Sequence, residues 1–189
     1  MQLQLDGQRR RNGFRSAFTL IEMLITLTVM AAIAATVAPM LSDDSRLRVM
    51  AASSIISSDI ELAQVMTIAH PDQPVVVRFN PNTNTYWLAY SATPNTPLPR
   101  EDNGESYTVT LGEGRARGAT GVKFVLEQAT NNTIGFAAHG GLTDFTQTPL
   151  VKVSKGTRGI QLAVAPNTGS ITESEFVAAV TMQAEAKKE

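Results

Sequence analysis

Residues Phe18 to Leu41, FTLIEMLITLTVMAAIAATVAPML, form a run of 24 residues with a single charge, Glu22. At about 1.5 Å of rise per residue, a helix of this length spans about 36 Å, enough to cross a hydrocarbon core of about 30 Å. Directly upstream, RRRNGFRSA carries Arg9, Arg10, Arg11 and Arg15. That asymmetry of positive charge holds the N-terminal end in the cytoplasm and sends the rest outward. The chain beyond Leu41 is polar enough to fold as a globule. The sequence therefore reads as a small domain anchored by its N-terminus and displayed across a membrane.

Glu22 does not suit a plain anchor. A carboxylate at mid-bilayer costs about 2.5–3.5 kcal/mol, less near the interface, unless it finds a partner. Two readings stand. In one, Glu22 lies close enough to the headgroups to stay hydrated. In the other, it awaits a positive charge from another chain. A secretory signal peptide fits less well, since its apolar core is about 7–15 residues and is followed by the cut. Here the apolar run is longer.

Ser16-Ala17-Phe18-Thr19-Leu20-Ile21-Glu22 resembles the processing site of type IV prepilins and type II secretion pseudopilins. The resemblance implies cleavage between Ala17 and Phe18 by prepilin peptidase and methylation of the new N-terminal amine on Phe18. Glu22 becomes the fifth mature residue and Pro39 the twenty-second, both positions the family favours. It implies that the Glu22 carboxylate meets the N-terminal amine of a neighbouring subunit during assembly. Ala17 departs from the glycine usual before the cut. The alternative cut, Gly13-Phe14, would put Glu22 out of register.

The remaining 148 residues of the 189 suit one domain after the anchor. Net charge is −1, with 16 basic and 17 acidic residues, but four arginines and one acid lie in residues 1–17. Without them 12 basic and 16 acidic residues remain, a formal −4. That balance suits a general nucleic-acid binder poorly. The chain has no cysteine, which excludes disulfides, a thiol nucleophile and a Cys-based metal site.

The helix is expected to continue past Leu41, with a kink at Pro39, to Ala69, about 78 Å in all. Leu47, Met50, Ser54, Ile55, Leu62, Val65, Met66 and Ala69 recur at helical spacing and define the expected core face. Arg46, Arg48, Asp59, Glu61 and Gln64 fall on other faces. His70-Pro71 ends the helix, because the residue before proline is pushed out of the helical region. Strands are then expected at 75–79, 85–90, 107–111, 122–127, 133–137, 150–153 and 159–165, with turns at 80–84, 138–141, 155–158 and 166–169. Residues 93–104 read as an exposed Pro-rich loop and 112–121 as a flexible Gly-rich loop. From Glu173 the tail has helical composition. The fold class is thus α+β: a long N-terminal helix, transmembrane in its first half and amphipathic in its second, packed on a small antiparallel sheet. The expected segments are a leader at 1–17, an assembly helix at 18–41, an amphipathic half at 42–70 and a β-rich periplasmic domain at 71–189.

The second half adds to the resemblance. Residues 58–64, 75–79, Tyr86-Trp87, Ile134-Gly135-Phe136 with Gly140, and Gly159-Ile160-Gln161-Leu162 before Gly169 are similar in order and spacing to H-class, or FimT-like, minor pseudopilins. The function this implies is a structural subunit of a type II secretion pseudopilus, seated in the bacterial inner membrane, with other pseudopilins and the secretion machinery as partners. A minor pilin of a type IV pilus is the alternative, and some FimT-like pilins bind DNA. Arg115, Arg117, Lys123, Lys152, Lys155 and Arg158 are the residues for such a contact, against the plainer reading of scattered solvated charges. A signal-anchored binding domain that never assembles is a third reading.

Nothing in the sequence points to an enzyme or to a bound cofactor. His70 and His139, with Asp72 and Asp144, read as helix-end and turn residues rather than metal ligands. The acidic loop 101–105 lacks the ligand alternation of an EF-hand. Gly112, Gly114, Gly118 and Gly121 sit in no strand–GxGxxG–helix unit.

Overall fold

A computed structural model describes residues 19–42, 44–100 and 104–178, with the side chains of 36–42 outside the described residues. It divides into two units, Met1–Asp43 and Asp44–Glu189. The leader, Ala17 and Phe18, most of the acidic loop (101–103) and the tail beyond 178 lie outside the described residues.

The first unit is helix α1, Leu20–Ser42. Thr19 caps it, its Oγ1 accepting the Glu22 backbone N–H at 3.2 Å. Thr and Glu three apart at a helix start are the capping-box pair. Further along, the Thr26 hydroxyl donates to the Met23 carbonyl at 2.9 Å, and that of Thr28 to the Leu24 and Ile25 carbonyls at 2.9 and 2.8 Å. Hydroxyls satisfied by their own helix leave its surface apolar in effect. Pro39 lies within α1.

The second unit begins with α2, Ser45–Ala69, which ends at His70 as the sequence expects. Its buried residues are Val49, Ala52, Ser53, Ile56, Asp59, Ile60, Ala63 and Thr67, a stripe at i, i+3, i+4, i+7. This corrects the expected face. Leu47, Met50 and Val65 are 70%, 45% and 59% exposed, while Ile55, Leu62 and Met66 lie at the margin. Apolar residues occur on both sides of α2, and the sheets take the side where small residues alternate with Val49, Ile56 and Ile60. Small side chains admit the close approach, and each fully buried isoleucine contributes about 1.5–3 kcal/mol. Asp59, expected on an outer face, is in that stripe.

Among the described residues eight strands follow in this unit: β1 Val75–Asn80, β2 Thr85–Tyr90, β3 Thr108–Thr110, β4 Lys123–Glu127, β5 Thr133–Gly135, β6 Leu150–Lys155, β7 Arg158–Val164 and β8 Ile171–Val177. They form two antiparallel four-stranded sheets, ordered β3-β2-β1-β5 and β4-β6-β7-β8, in place of the single sheet expected. The β1–β2 hairpin runs Val75↔Tyr90 to Asn80↔Thr85. The β6–β7 hairpin closes at Lys155↔Arg158 around Gly156, whose φ of +61° is a glycine conformation. Inward residues of both sheets meet the α2 stripe in one core. Phe79 stacks on Tyr86 and meets Phe124 edge-on, each at 5.5 Å between centroids, so the aromatic cluster spans both sheets. Asn84 ties the sheets through the backbone: its Nδ2 donates to the Val122 carbonyl at 2.7 Å and its Oδ1 accepts the Phe124 N–H at 3.3 Å.

Three local expectations are corrected. The tail from Glu173 opens as strand β8, paired with β7 along its length. The Gly-rich stretch contains a 3-10 helix, Gly114–Ala119, pinned by buried Ala116 and Ala119. In the Pro-rich segment Leu98 is buried, donating its N–H to the Leu88 carbonyl at 2.8 Å and accepting that of Tyr107 at 2.6 Å.

Candidate functional site

Of the sequence motif, Thr19 to Glu22 are described, and Leu20, Ile21 and Glu22 open α1. Every described side chain from Thr19 to Ala35 is exposed, and Glu22 is the only charge among them. Leu20, Ile21, Leu24, Leu27, Met30 and Ile33 are all more than half exposed. An apolar surface of this extent marks a lipid or protein interaction face. Glu22 stands in the first turn, where a carboxylate is favoured by the positive end of the helix dipole. The backbone N–H of Glu22 is what the Thr19 cap accepts. Among the described residues no helix is long and apolar enough to cross a membrane. The described side chains of α1 end at Ala35, while the apolar run continues to Leu41.

A second constellation, unforeseen in the sequence, is built around Asp59. Its side chain is 2% exposed. Oδ2 accepts the Tyr86 hydroxyl at 2.5 Å and the guanidinium of Arg115; Oδ1 accepts the Tyr107 hydroxyl at 2.8 Å. Four segments converge there: α2, β2, the 3-10 helix and the segment just before β3. Burial raises the Tyr86 hydroxyl far above the ordinary tyrosine range, and the Asp59 charge adds to it. Tyr107 is raised for the same reasons, burial first. Burial works against the Arg115 charge, but Asp59 beside it prevails and raises its pKa. These groups stay protonated and hydrogen-bonded, so the cluster is a fastener between layers. One signal was in the sequence: Asp59 falls in helical register with Ile56, Ile60 and Ala63.

Gln64 fastens another corner. Its Nε2 donates to the carbonyls of Gly140 and Thr168 at 2.6 and 2.8 Å, holding two turns against α2.

The six basic residues are not gathered as one free patch. Arg115 is bound to Asp59. Lys152 pairs with Glu127 at 2.6 Å, and Lys155 with Asp44 at 3.1 Å. Asp44 also accepts Arg48 at 2.6 Å; that bond, then the one from Lys155, lowers its pKa. Lys123, opposite Ser154, and Arg158, opposite Lys155, share one end of the second sheet and are exposed. Arg117 is exposed on the 3-10 helix. His70 is the α2 C-cap and His139 stands in the turn before Gly140. Among the described residues no three His, Asp or Glu side chains are grouped to hold a metal ion.

No family model matches the chain, and no curated protein matches it. A solved structure does match: the minor pseudopilin EpsH from the Type 2 Secretion System of Vibrio cholerae. It aligns with a TM-score of 0.44 at 13% sequence identity, covering 67% of this chain and 96% of that one.

Proposed function

We propose that this chain is a structural subunit of the pilin class, a minor pseudopilin of a type II secretion system. In this reading α1 anchors it in the bacterial inner membrane with the N-terminus cytoplasmic and the β-rich unit periplasmic. Prepilin peptidase cuts after Ala17, Phe18 carries the methylated amine, and Glu22 pairs with the amine of a neighbouring subunit. The observation that carries the proposal is α1 itself. It is an exposed apolar helix, its described mid-helix hydroxyls are satisfied internally, and its one carboxylate stands in the first turn, four residues after Phe18. The F-T-L-I-E run after a basic leader supports the same reading.

Glu22 has two candidate roles, and two substitutions separate them. Glutamine serves in a capping box as glutamate does, but carries no charge. Glu22→Gln should therefore insert in the membrane normally yet lose at least tenfold in crosslinking to neighbouring subunits, as should Glu22→Ala. Normal assembly of Glu22→Gln would reduce Glu22 to a cap and rule out the ion pair.

A further inference from the structure

One end of the β-rich unit is fixed by chain connection. Asp44, its first residue, follows Leu41 by three Cα steps of about 3.8 Å, so it stands within about 11 Å of the last residue of the apolar run. The second sheet has its closed hairpin at the same end. Lys155 reaches Asp44 at 3.1 Å, Lys123 begins β4 opposite Ser154, and Arg158 begins β7 opposite Val177. The first turn of α2 adds Arg46 and Arg48. The far end of the sheet has no such run of cations: there the strands start or stop at Glu127, Leu150, Val164 and Ile171.

Cations outnumber acids at the Asp44 end. Asp44 is one carboxylate shared by Arg48 and Lys155, and Glu175 answers Arg46 at 3.1 Å. Exposed Lys123 and Arg158 make five cations against these two acids. Asp43, outside the described residues, brings the acids to three, and residues 179–189 hold two glutamates and two lysines, which cancel. An excess of two remains even with all of these at this end. Glu101 and Asp102 follow Arg100, which stands beside Leu62 and Met66, about 21 Å further along α2 than Arg48. The excess contrasts with the formal −4 of residues 18–189.

Two large apolar side chains are exposed among these cations. Leu47 lies between Arg46 and Arg48, and Val177 pairs across from Arg158 and is 61% exposed. Val177 shares a face of β8 with Glu175, two residues before it, so Leu47 and Val177 flank the Arg46–Glu175 bridge. Apolar groups set among basic ones suit a lipid interface, where burial and attraction to anionic headgroups add. Distance selects that occupant. A headgroup layer is about 5–7 Å deep and the field above it decays over about 8 Å, so a face built on Asp44 falls within its range.

We propose that this end of the β-rich unit docks on the anionic headgroups of the membrane that α1 enters, with Leu47 and Val177 in the interface and the cations on lipid phosphates. The contact rests on the anchor reading of α1 and adds a lipid partner to it. The chain has no cysteine, so each introduced one is a unique labelling site. Full-length Val177→Cys, and Gln73→Cys in the turn after α2, carry bimane in vesicles of phosphatidylcholine alone or mixed with phosphatidylglycerol. Doxyl-labelled lipid should quench bimane at 177 roughly threefold more in the anionic vesicles than in the neutral ones. Bimane at 73 should behave alike in both. Molar salt should remove the difference at 177, and Lys123→Gln combined with Arg158→Gln should shrink it several-fold. If that double variant fails to fold, salt and lipid composition decide the matter. Equal quenching at 177 in the two vesicles, none in either, or a difference that molar salt leaves intact would overturn the proposal. Emission at 177 that varies with protein concentration at fixed lipid would assign the face to a second copy and overturn it as well. Release of the chain by alkaline carbonate would overturn the anchor reading and this contact with it, whereas a retained chain with unquenched bimane at 177 contradicts the contact alone.

Discussion

Removing the Asp59 carboxylate would leave Arg115 and two tyrosine hydroxyls without their shared acceptor. Breaking a buried charged pair from one side costs about 3–5 kcal/mol. Arg115 is 36% exposed and regains some water, so Asp59→Ala should fall at the lower end of that range in denaturant unfolding. Tyr86→Phe removes one hydrogen bond to a charged group and should cost about 1.5–3 kcal/mol. The tyrosines also set a pH dependence. In the folded state both hold their protons above the ordinary value of 10.0, whereas the unfolded chain releases them near it. Their contribution to stability is therefore complete below pH about 10 and declines as pH rises from there toward the folded values. The tyrosinate absorbance that Tyr86→Phe removes should appear only as the fold is lost. Ionisation of Tyr86 in a chain with intact circular dichroism would contradict this. At this scale the sequence was legible only in part. Glu22 stood out because charge is rare in an apolar run. Asp59 did not, because its register with Ile56, Ile60 and Ala63 competes with a second apolar face on α2, and only the packing decides between them.

Strand β8 shows how an element can be misread. The tail from Glu173 has the composition of a helix, yet β7 offers its first residues, to Val177, a register that runs from Val164↔Ile171 to Arg158↔Val177, and the pairing overrides local preference there. Its side chains are mostly exposed, and Arg46 on α2 reaches Glu175 at 3.1 Å. Gly159 lies beneath the Phe176 ring, where any Cβ would collide with it. Gly159→Val should therefore displace that ring and cost about 1–3 kcal/mol as an overpacked contact. Amide exchange should quicken along β8 while the inner strand β6 stays protected; uniform loss of protection across the sheet would show that β8 is not a separable edge. The hairpins at 75–90 and 155–158 were legible because turn residues and alternation are local. The division into two sheets was not, since β1 pairs with β5 and β4 with β6 across long stretches of chain. The core face of α2 was misplaced for a related reason: it has apolar residues on two sides, and only the sheets decide which is covered.

On the scale of the whole molecule, the chain joins an exposed apolar helix to a β-rich unit with its own core, and the two have different tasks. The core is built from α2 and both sheets and has its polar fasteners, Asp59 and Gln64, inside that unit. The described apolar side chains of α1 are exposed. On the proposed reading, substitutions in the fasteners should lower stability without touching membrane insertion, while those at Glu22 should impair assembly and leave the stability of the β-rich unit unchanged. The α+β class was legible from the change of period after Pro71. The measurement that bears most directly on the proposed role is intact mass with N-terminal analysis of the protein extracted from its own membrane. A pseudopilin processed at Ala17 should yield a chain beginning with methylated Phe18. A chain that still carries residues 1–17 in the presence of active prepilin peptidase would contradict that role and leave a plain anchored domain.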